Sequence, residues 1–409
     1  MNAAISPLAT AITVLMASFN GPATAYAAPA EEGAYHVNIL DYGSDKAPVD
    51  RTGVADDSAA LTKAIAAANV HTSVGKPACV YIPAGRYRIV APPPSFAFAG
   101  CVMGDGSSQT FIDIDPTFSG DLFTWSEAWT VTTPGPRIVG LTVQGSEVAT
   151  QMQNAFVFFD RNDDVFMEDV AVNHLHGRAL YSGITKHKQQ AYMRDSHLIS
   201  LHFFNDGAPE VPVVEFSSEG LDAKTDATNE IRMSLVDIYG AAGPSFVIRN
   251  NGVGTVRDIT LSGLRIEGLQ QKEYGPSMGD LLRIGDPIMT GNVNNVRLTD
   301  VELINPDEGY CGLRMTAPSG YAAPYQITFQ GFVGGGNPFG QGLCINAGRT
   351  SVFRLSGIYT LGTNVVIGPR ASQIVLDGGG QEAHWTYSID PTSRDGVRFP
   401  SLSVTPGPP

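Results

Sequence analysis

The chain has 409 residues, of which 43% are hydrophobic and 16% are charged, so it can bury a large core and is not an intrinsically disordered polymer. Its 45 glycines and 27 prolines indicate many turns. The formal net charge of -14 argues against nucleic acid as a partner, because an acidic surface repels phosphate groups at long range.

Residues 1–27 are predicted to form a secretory signal peptide. The apolar run from Ala11 to Phe19 is too short to span a bilayer, and Ala25-Tyr26-Ala27 offers a small-x-small cleavage site. No Lys or Arg precedes the apolar run, so a cytoplasmic N-terminal tail is the alternative. We therefore expect an exported protein, periplasmic or extracellular, without a membrane span.

The first regular element that the sequence predicts is a helix from Asp57 to Asn69. Asp56 and Asp57 can accept hydrogen bonds from the free N–H groups of a first turn, and the alanine-rich run behind them favours a helix. The apolar residues of this run fall on one stripe, at Ala60, Leu61, Ala64, Ile65 and Ala68. Short strands separated by turns follow, and a single helix before a train of strands is typical of the cap of a stacked repeat.

Four segments of this region resemble a known signature. DYG, ADDSAALTKAIAAA, VYIPAGRYRI and MGDGSSQTFI are similar to the N-terminal signature of the pectate-lyase-like superfamily, over roughly residues 36 to 115. The resemblance implies a right-handed parallel β-helix, the fold of many polysaccharide lyases, some glycosidases and phage tail-spike domains. The family usually places a compact GDG before its Asp-Asp-Thr, whereas this chain has the longer SDKAPVDRTGVADDS.

A four-residue pattern recurs about every 30 residues from Gly140 onward, as in repeat proteins. It consists of a small or acidic residue, an apolar residue, any residue and a second apolar residue. Its instances begin at Gly140, Asp169, Asp195, Leu235, Gly263, Asp300, Gly331 and Gly357. Alternation puts the two apolar positions on one face of a strand, so we expect Val170, Val236, Leu264 and Val301 in one interior column.

These repeats lack the Leu/Asn ladder of leucine-rich repeats and are too short for propeller blades. The sequence therefore predicts an all-β chain with one solenoid domain, a right-handed parallel β-helix spanning residues 28–380 behind a short capping helix. Residues 381–409 are predicted to be a C-terminal cover and tail.

The four cysteines fit an oxidising compartment. Cys79 and Cys101 adjoin consecutive predicted strands, and Cys311 and Cys344 are about one repeat apart. Two disulfide bonds, Cys79–Cys101 and Cys311–Cys344, are predicted, with four buried thiols as the alternative. No CxxC pair or His/Cys spacing indicates a zinc site. Calcium is a possible cofactor, although the sequence shows no clear site for it.

The third position of the repeat points outward and is often polar. Stacking in register places His197, Asp237, Arg265 and Glu302 in a polar ladder, with Asp169 and Asp195 side by side at the first position. Stacked carboxylates near a histidine raise one pKa and are found at functional sites. The alternative is a solvated sheet face with alternating charges.

The segment from His174 to His202 is basic in an otherwise acidic chain, and it contains five of the eight histidines. It is interpreted as a binding surface for an acidic polysaccharide, with a chance cluster on a solvated turn as the alternative. Long insertions at Phe204 to Glu230 and Gly268 to Asp280 are predicted to wall a groove beside the polar ladder.

Three functions remain open from the sequence: a polysaccharide lyase, a glycoside hydrolase with paired carboxylates, and a non-catalytic polysaccharide-binding protein. Elimination at a uronic acid needs a cation on the carboxylate, a base and an acid, and hydrolysis needs two carboxyl groups. The lyase is the preferred hypothesis. The candidate catalytic residues are His197, Asp195, Asp169, Asp237 and Lys186, and the candidate substrate-binding residues are Arg178, Arg194, Arg265, His174, His176 and Tyr181.

Overall fold

The computed structural model describes residues 35–44, 48–73, 78–97, 100–128, 135–186, 190–221, 227–268, 279–307, 309–318, 324–335, 340–360, 364–378 and 386–398. Most of them lie in parallel strands that stack as successive coils, so the predicted all-β parallel β-helix is confirmed. The predicted signal peptide lies outside the described residues. No helix in the described ranges is long and apolar enough to cross a membrane.

The N-terminal coils contain helix α1, at Ser58–Ser73, and a short 3-10 helix at Ile39–Tyr42. Their strands are β1 (Tyr35–Asn38), β2 (Thr52–Asp56), β3 (Ala78–Ile82), β4 (Gly85–Ile89), β5 (Phe96–Ala97), β6 (Cys101–Gly104), β7 (Thr110–Ile114), β8 (Gly120–Ala128) and β9 (Arg137–Gln144).

The middle coils continue the stack. Their strands are β10 (Gln153–Asp163), β11 (Phe166–Asn173), β12 (Leu180–Ile184), β13 (Tyr192–Arg194), β14 (His197–Phe204), β15 (Val214–Phe216), β16 (Ala227–Asn229), β17 (Arg232–Tyr239), β18 (Phe246–Ile248), β19 (Thr255–Glu267) and β20 (Leu282–Ile284).

The C-terminal coils hold the longest strands. They are β21 (Asn292–Ile304), β22 (Cys311–Met315), β23 (Thr328–Gly335), β24 (Gln341–Thr360), β25 (Asn364–Gly378), β26 (Thr386–Ile389) and β27 (Val397–Arg398), with a 3-10 helix at Pro391–Gly396. Both β26 and β27 pair with β25, so parallel pairing continues into the segment that the sequence marks as a C-terminal cover.

Helix α1 buries the apolar stripe that its sequence predicts. All five stripe residues, from Ala60 to Ala68, are at most 6% exposed, and the helix contacts β1, β3 and β5. Asp56 accepts a hydrogen bond from the Ser58 N–H at 2.9 Å, as expected of a residue at a helix start. Asp57 differs, because its Oδ1 accepts the Asp50 N–H at 2.8 Å instead.

A full coil crosses three parallel sheets, which we number in chain order. Sheet I contains β8, β10, β12, β15, β18, β20, β22 and the beginnings of β24 and β25. Sheet II is narrow and contains the end of β10, β13, β16 and the beginnings of β19 and β21. Sheet III contains β9, β11, β14, β17, β23 and the later parts of β19, β21, β24 and β25.

The interior column predicted for sheet III is confirmed. Register places Val170, Val236, Leu264 and Val301 in one column that Leu201 completes, and each of these side chains is at most 2% exposed. Because equivalent apolar side chains stack at the ~4.8 Å strand spacing, the core is continuous along the helix.

Six successive strands of sheet III, from β9 to β21, bend at a residue with positive φ, which lies just before this interior column. The bend residues are Gly140, Asp169, Ser200, Leu235, Gly263 and Asp300, with φ between 54° and 67°. Glycine and short polar residues adopt this left-handed conformation most readily. The bend therefore explains why the first position of the sequence repeat is small or acidic in most instances, with Leu235 as the exception.

The repeat instance predicted at Asp195 is wrong. The bend equivalent to Asp169 is Ser200, because Val170 pairs with Leu201 and Ala171 with His202. Asp195 also has positive φ, but it lies at the corner between sheets II and III, in one column with Asp164, Glu230, Asp258 and Asn295. Both corners favour an acidic residue followed by alternating apolar residues, so the pattern alone does not separate them.

Two further predictions are corrected by the register. Phe332 pairs with Glu302 and is half-buried, and Val333 takes the interior position, so that instance is shifted by one residue. The segment from Phe204 to Glu230 is not a wall of a groove, because β15 and β16 within it belong to sheets I and II. Most of the second predicted insertion, Gly268 to Asp280, lies outside the described residues.

Both predicted disulfide bonds are confirmed. Cys79 and Cys101 are direct cross-strand partners on β3 and β6, with Cα atoms 4.3 Å apart. Cys311 and Cys344 join β22 to β24, with Cα atoms 6.1 Å apart. Each bond therefore ties neighbouring coils together.

Candidate functional site

The outer face of sheet I carries a cluster of largely buried charged side chains. On β15, Val214 and Phe216 are fully buried in the core, so Glu215 between them points outward. Its column contains Tyr181, Glu215, Val247, Arg283 and Arg314, one from each of five successive strands. We call this column and its charged neighbours the arginine face, which comprises Arg178, Tyr181, Glu215, Arg249, Asp280, Arg283, Asp286 and Arg314.

Glu215 is the centre of the first half of the arginine face. Its side chain has no exposed surface, and its two oxygens meet two arginines: Arg178 Nε donates to Oε2 at 3.0 Å, and Arg249 Nη2 lies 2.6 Å from Oε1. Arg249 also contacts Asp286, with 3.2 Å between Nη1 and Oδ2. Burying charges is costly unless they are paired, so these contacts fix the guanidinium positions.

Tyr181 lies beside this group. The Arg178 Cζ atom is 4.2 Å from the centroid of the Tyr181 ring, within the range of a cation–π contact. Burial raises the pKa of Tyr181 strongly, and the nearby carboxylates of Glu215 and Glu219 raise it further. The phenol therefore keeps its proton at neutral pH and can serve as a proton donor.

Asp280 is the centre of the second half. Its side chain is also fully buried, and its Oδ2 lies 3.0 Å from Arg283 Nε and 2.8 Å from Arg314 Nε. The N–H of the disulfide-bonded Cys311 donates to Oδ1 at 3.0 Å. Within the described part of the chain, the Nη groups of Arg178, Arg283 and Arg314 donate no hydrogen bond. They can therefore receive an anion from outside.

The predicted polar ladder exists on sheet III, but His202 occupies the place assigned to His197. Register aligns His202, Asp237, Arg265 and Glu302 on consecutive strands. His202 Nδ1 is 3.1 Å from Asp237 Oδ2, and the hydrogen bond between them raises the pKa of His202 and lowers that of Asp237. The four side chains are about half exposed, between 49% and 54%, as on a solvated face.

Asp169 and Asp195 do not lie side by side, contrary to the prediction. Asp169 accepts hydrogen bonds from Ser107 N at 3.0 Å and Ser107 Oγ at 2.5 Å, so it holds the loop after Gly106. Asp195 instead shares a hydrogen bond with Glu230 on the next coil, which raises the pKa of Glu230. The prediction placed them together because it assigned to Asp195 the bend position that Ser200 occupies.

The other candidate residues are distributed over the three sheets. His197 is exposed and pairs with Arg232 at the start of β17, far along the strand from Asp237. Arg194 lies over the Tyr192 ring on sheet II, at 3.7 Å, and Lys186 lies over the Phe159 ring beside sheet I, at 4.5 Å.

The two remaining histidines lie in the turn between sheets III and I. His174 Nδ1 is 3.4 Å from Glu147 Oε1, and the half-buried His176 follows on the way to Arg178. The structure therefore does not assemble all eleven candidates into one groove. It brings Arg178 and Tyr181 together on sheet I, and Asp237 and Arg265 together on sheet III.

Sequence reasoning missed most of the arginine face. The missed residues are Glu215, Arg249, Asp280, Arg283, Asp286 and Arg314. A second pattern of an apolar residue, any residue and an apolar residue marks sheet I, in VEF, LRI and LRM, and its central residue is outward and charged each time. No group of three or more His, Cys, Asp and Glu side chains in the described ranges is arranged to hold a metal ion.

Comparison with known proteins gives one family match. Residues 36–137 match the model of the family described as rhamnogalacturonase A/epimerase, pectate lyase-like. No curated protein matches the chain.

Several solved structures are similar to the chain at low identity. ORF18 of Geobacillus virus E2 has a TM-score of 0.48 at 12% identity, over 87% of this chain, which spans 61% of the viral protein's length. The A-module of a mannuronan C-5 epimerase of Azotobacter vinelandii has a TM-score of 0.39 at 14% identity, over 91% of this chain and 99% of the module. The catalytic unit of an α-1,3-glucanase of Streptomyces thermodiastaticus has a TM-score of 0.42 at 15% identity, over 91% of this chain and 69% of that one. The family match confirms, for residues 36–137, the resemblance to the pectate-lyase-like superfamily that the N-terminal signature indicates.

Proposed function

We propose that this chain is a carbohydrate-active enzyme, a polysaccharide lyase that cleaves an acidic polysaccharide by β-elimination on the arginine face. The observation that carries the proposal is the Arg178 guanidinium, held between buried Glu215 and the Tyr181 ring, with Nη groups that donate no hydrogen bond to any described residue. The family match, whose description names carbohydrate enzymes, supports the same class of substrate.

The proposed reaction begins with charge neutralisation. The Nη groups of Arg178 bind the carboxylate of a uronate unit, which makes the adjacent C–H bond more acidic. Arg249 is held by two carboxylates and supports this positive field. An arginine fixed by a buried acid needs little reorganisation when charge develops on the substrate, so it stabilises the enolate-like transition state.

Proton transfer completes the elimination. A base removes the proton from the carbon next to the carboxylate, the electron pair forms a carbon–carbon double bond, and the glycosidic C–O bond breaks. Tyr181 is proposed to protonate the departing oxygen, because its raised pKa keeps it in the acid form. Lys186 is the proposed base, since it follows β12 on the same sheet, whereas His197 is on sheet III and His187 is outside the described residues.

The test is a screen of acidic polysaccharides, including polygalacturonate and alginate, for the ultraviolet absorbance of an unsaturated product. On a confirmed substrate, Tyr181→Phe should lower kcat by about 100-fold. Arg178→Ala should raise KM, more strongly at low ionic strength, and should also lower kcat, because the guanidinium both binds the carboxylate and stabilises the transition state. Arg297→Ala, at an exposed arginine on β21 of sheet III, is the matched control and should change neither constant.

Other outcomes would replace the proposal. New reducing ends without the absorbance would indicate a glycoside hydrolase, and binding without cleavage would indicate a polysaccharide-binding protein. Full activity of both Tyr181→Phe and Arg178→Ala would show that the reaction takes place on another face.

A further inference from the structure

The Asp280 half of the arginine face has no part in the elimination described above. Its geometry nevertheless repeats that of the Glu215 half: a fully buried carboxylate holds two arginines by their Nε atoms. A backbone N–H from a disulfide-bonded residue adds a third hydrogen bond to the carboxylate. The two arginine side chains keep 24% and 23% of their surface exposed, so they are fixed and still accessible.

The buried ion pairs of Asp280 with Arg283 and Arg314 are not explained by a need for stability. A buried ion pair is seldom better for stability than apolar residues of the same size. Arginines whose Nε atoms are held, and whose Nη groups remain open within the described residues, suit the two oxygens of a carboxylate. The Asp280 group therefore has the properties of a preformed anion site.

We propose that Arg283 and Arg314 form a second subsite, which binds a carboxylate of the polysaccharide several sugar units away from the unit at Arg178. They share a column with Tyr181 and lie three and four strands away, about 14 and 19 Å at the usual strand spacing. The substrate is then a linear polyuronate lying along the helix axis. This inference rests on the proposed function, because the reacting unit is placed at Arg178.

The test is equilibrium binding by calorimetry at low ionic strength, with long polygalacturonate or alginate chains and with the matching disaccharides as probes. Arg283→Ala and Arg314→Ala should each weaken long-chain binding by about tenfold. Disaccharide binding at Arg178 should not change, since a disaccharide cannot reach the second subsite. Arg297→Ala, at an exposed arginine on β21 of sheet III, is the control and should bind every probe as the wild type does.

Thermal unfolding and a conservative variant distinguish a variant that has lost the anion site from one that has failed to fold. Asp280 keeps one arginine and the Cys311 N–H in each single variant, and Arg283→Lys retains the charge as a second check, with thermal unfolding recorded for all three. Long-chain affinity unchanged in both alanine variants would overturn the subsite, whereas cleavage by the wild type would leave the lyase proposal standing. Lost long-chain affinity without any cleavage would support the subsite and overturn the lyase. Failure of the wild type to bind any probe would overturn both.

Discussion

Glu215 offers the sharpest test of how the arginine face is held. Glu215→Gln preserves the shape of the side chain but removes the charge that Arg178 and Arg249 share. Removing one member of a buried ion group costs about 3–5 kcal/mol, because the partner charge remains buried. Both arginines are 18% exposed and Arg249 keeps Asp286, so we expect the low end, about 3 kcal/mol.

The measurement is urea-induced unfolding followed by circular dichroism. Glu302→Gln is the matched control, because the same change there removes an exposed partner 3.8 Å from Arg265. Exposed ion pairs contribute little, so this control should change the free energy of unfolding by less than about 0.5 kcal/mol. Equal losses for the two variants, or a loss below about 1 kcal/mol for Glu215→Gln, would refute the argument that Glu215 is the buried anchor of the two arginines.

Three further predictions follow from the fold and the ladder. Leu264→Asp should destabilise the protein by several kcal/mol in the same unfolding assay, because it places an unpaired carboxylate in the interior column of sheet III, while Arg265→Asp next to it should have a small effect. Mass spectrometry of the unreduced protein should show peptides linked through Cys79–Cys101 and Cys311–Cys344, and free thiols at these positions would contradict it. The pKa of His202 should fall in Asp237→Asn when followed by NMR, because the hydrogen bond to Asp237 raises it. The pair's contribution to stability is therefore present below the unfolded histidine's pKa and is lost as the pH rises through the folded value.

The fold was predictable because its determinants are local. The alternation of apolar residues and the mostly small or acidic bend positions recur along sheet III, so Val170, Val236, Leu264 and Val301 could be assigned to one column from the sequence. The error at Asp195 has an equally local cause. Two different corners use residues with positive φ, and only the polar Ser196 that follows distinguishes Asp195 from a true bend before the interior column.

The candidate site was predictable only in part, because its contacts are not local. Arg178 and Tyr181 were selected from the charge of their segment, but the carboxylate that fixes Arg178 is 37 residues further along the chain. The Arg249 partner of that carboxylate is another 34 residues away. Side chains as long as arginine reach across neighbouring coils, and the sequence pattern of one coil contains no information about which partner they meet.

The placement of equivalent positions on successive coils has a consequence for how such a protein can change. Each added coil would insert one more position into the outward column of sheet I, while leaving Tyr181 and its neighbours in their original geometry. Duplication or loss of a coil between Glu215 and Arg283 would therefore change the distance between the two halves of the arginine face and leave the groups within each half unchanged. In such a scaffold the distance between two binding positions is counted in whole coils, and it can be adjusted separately from the groups that react.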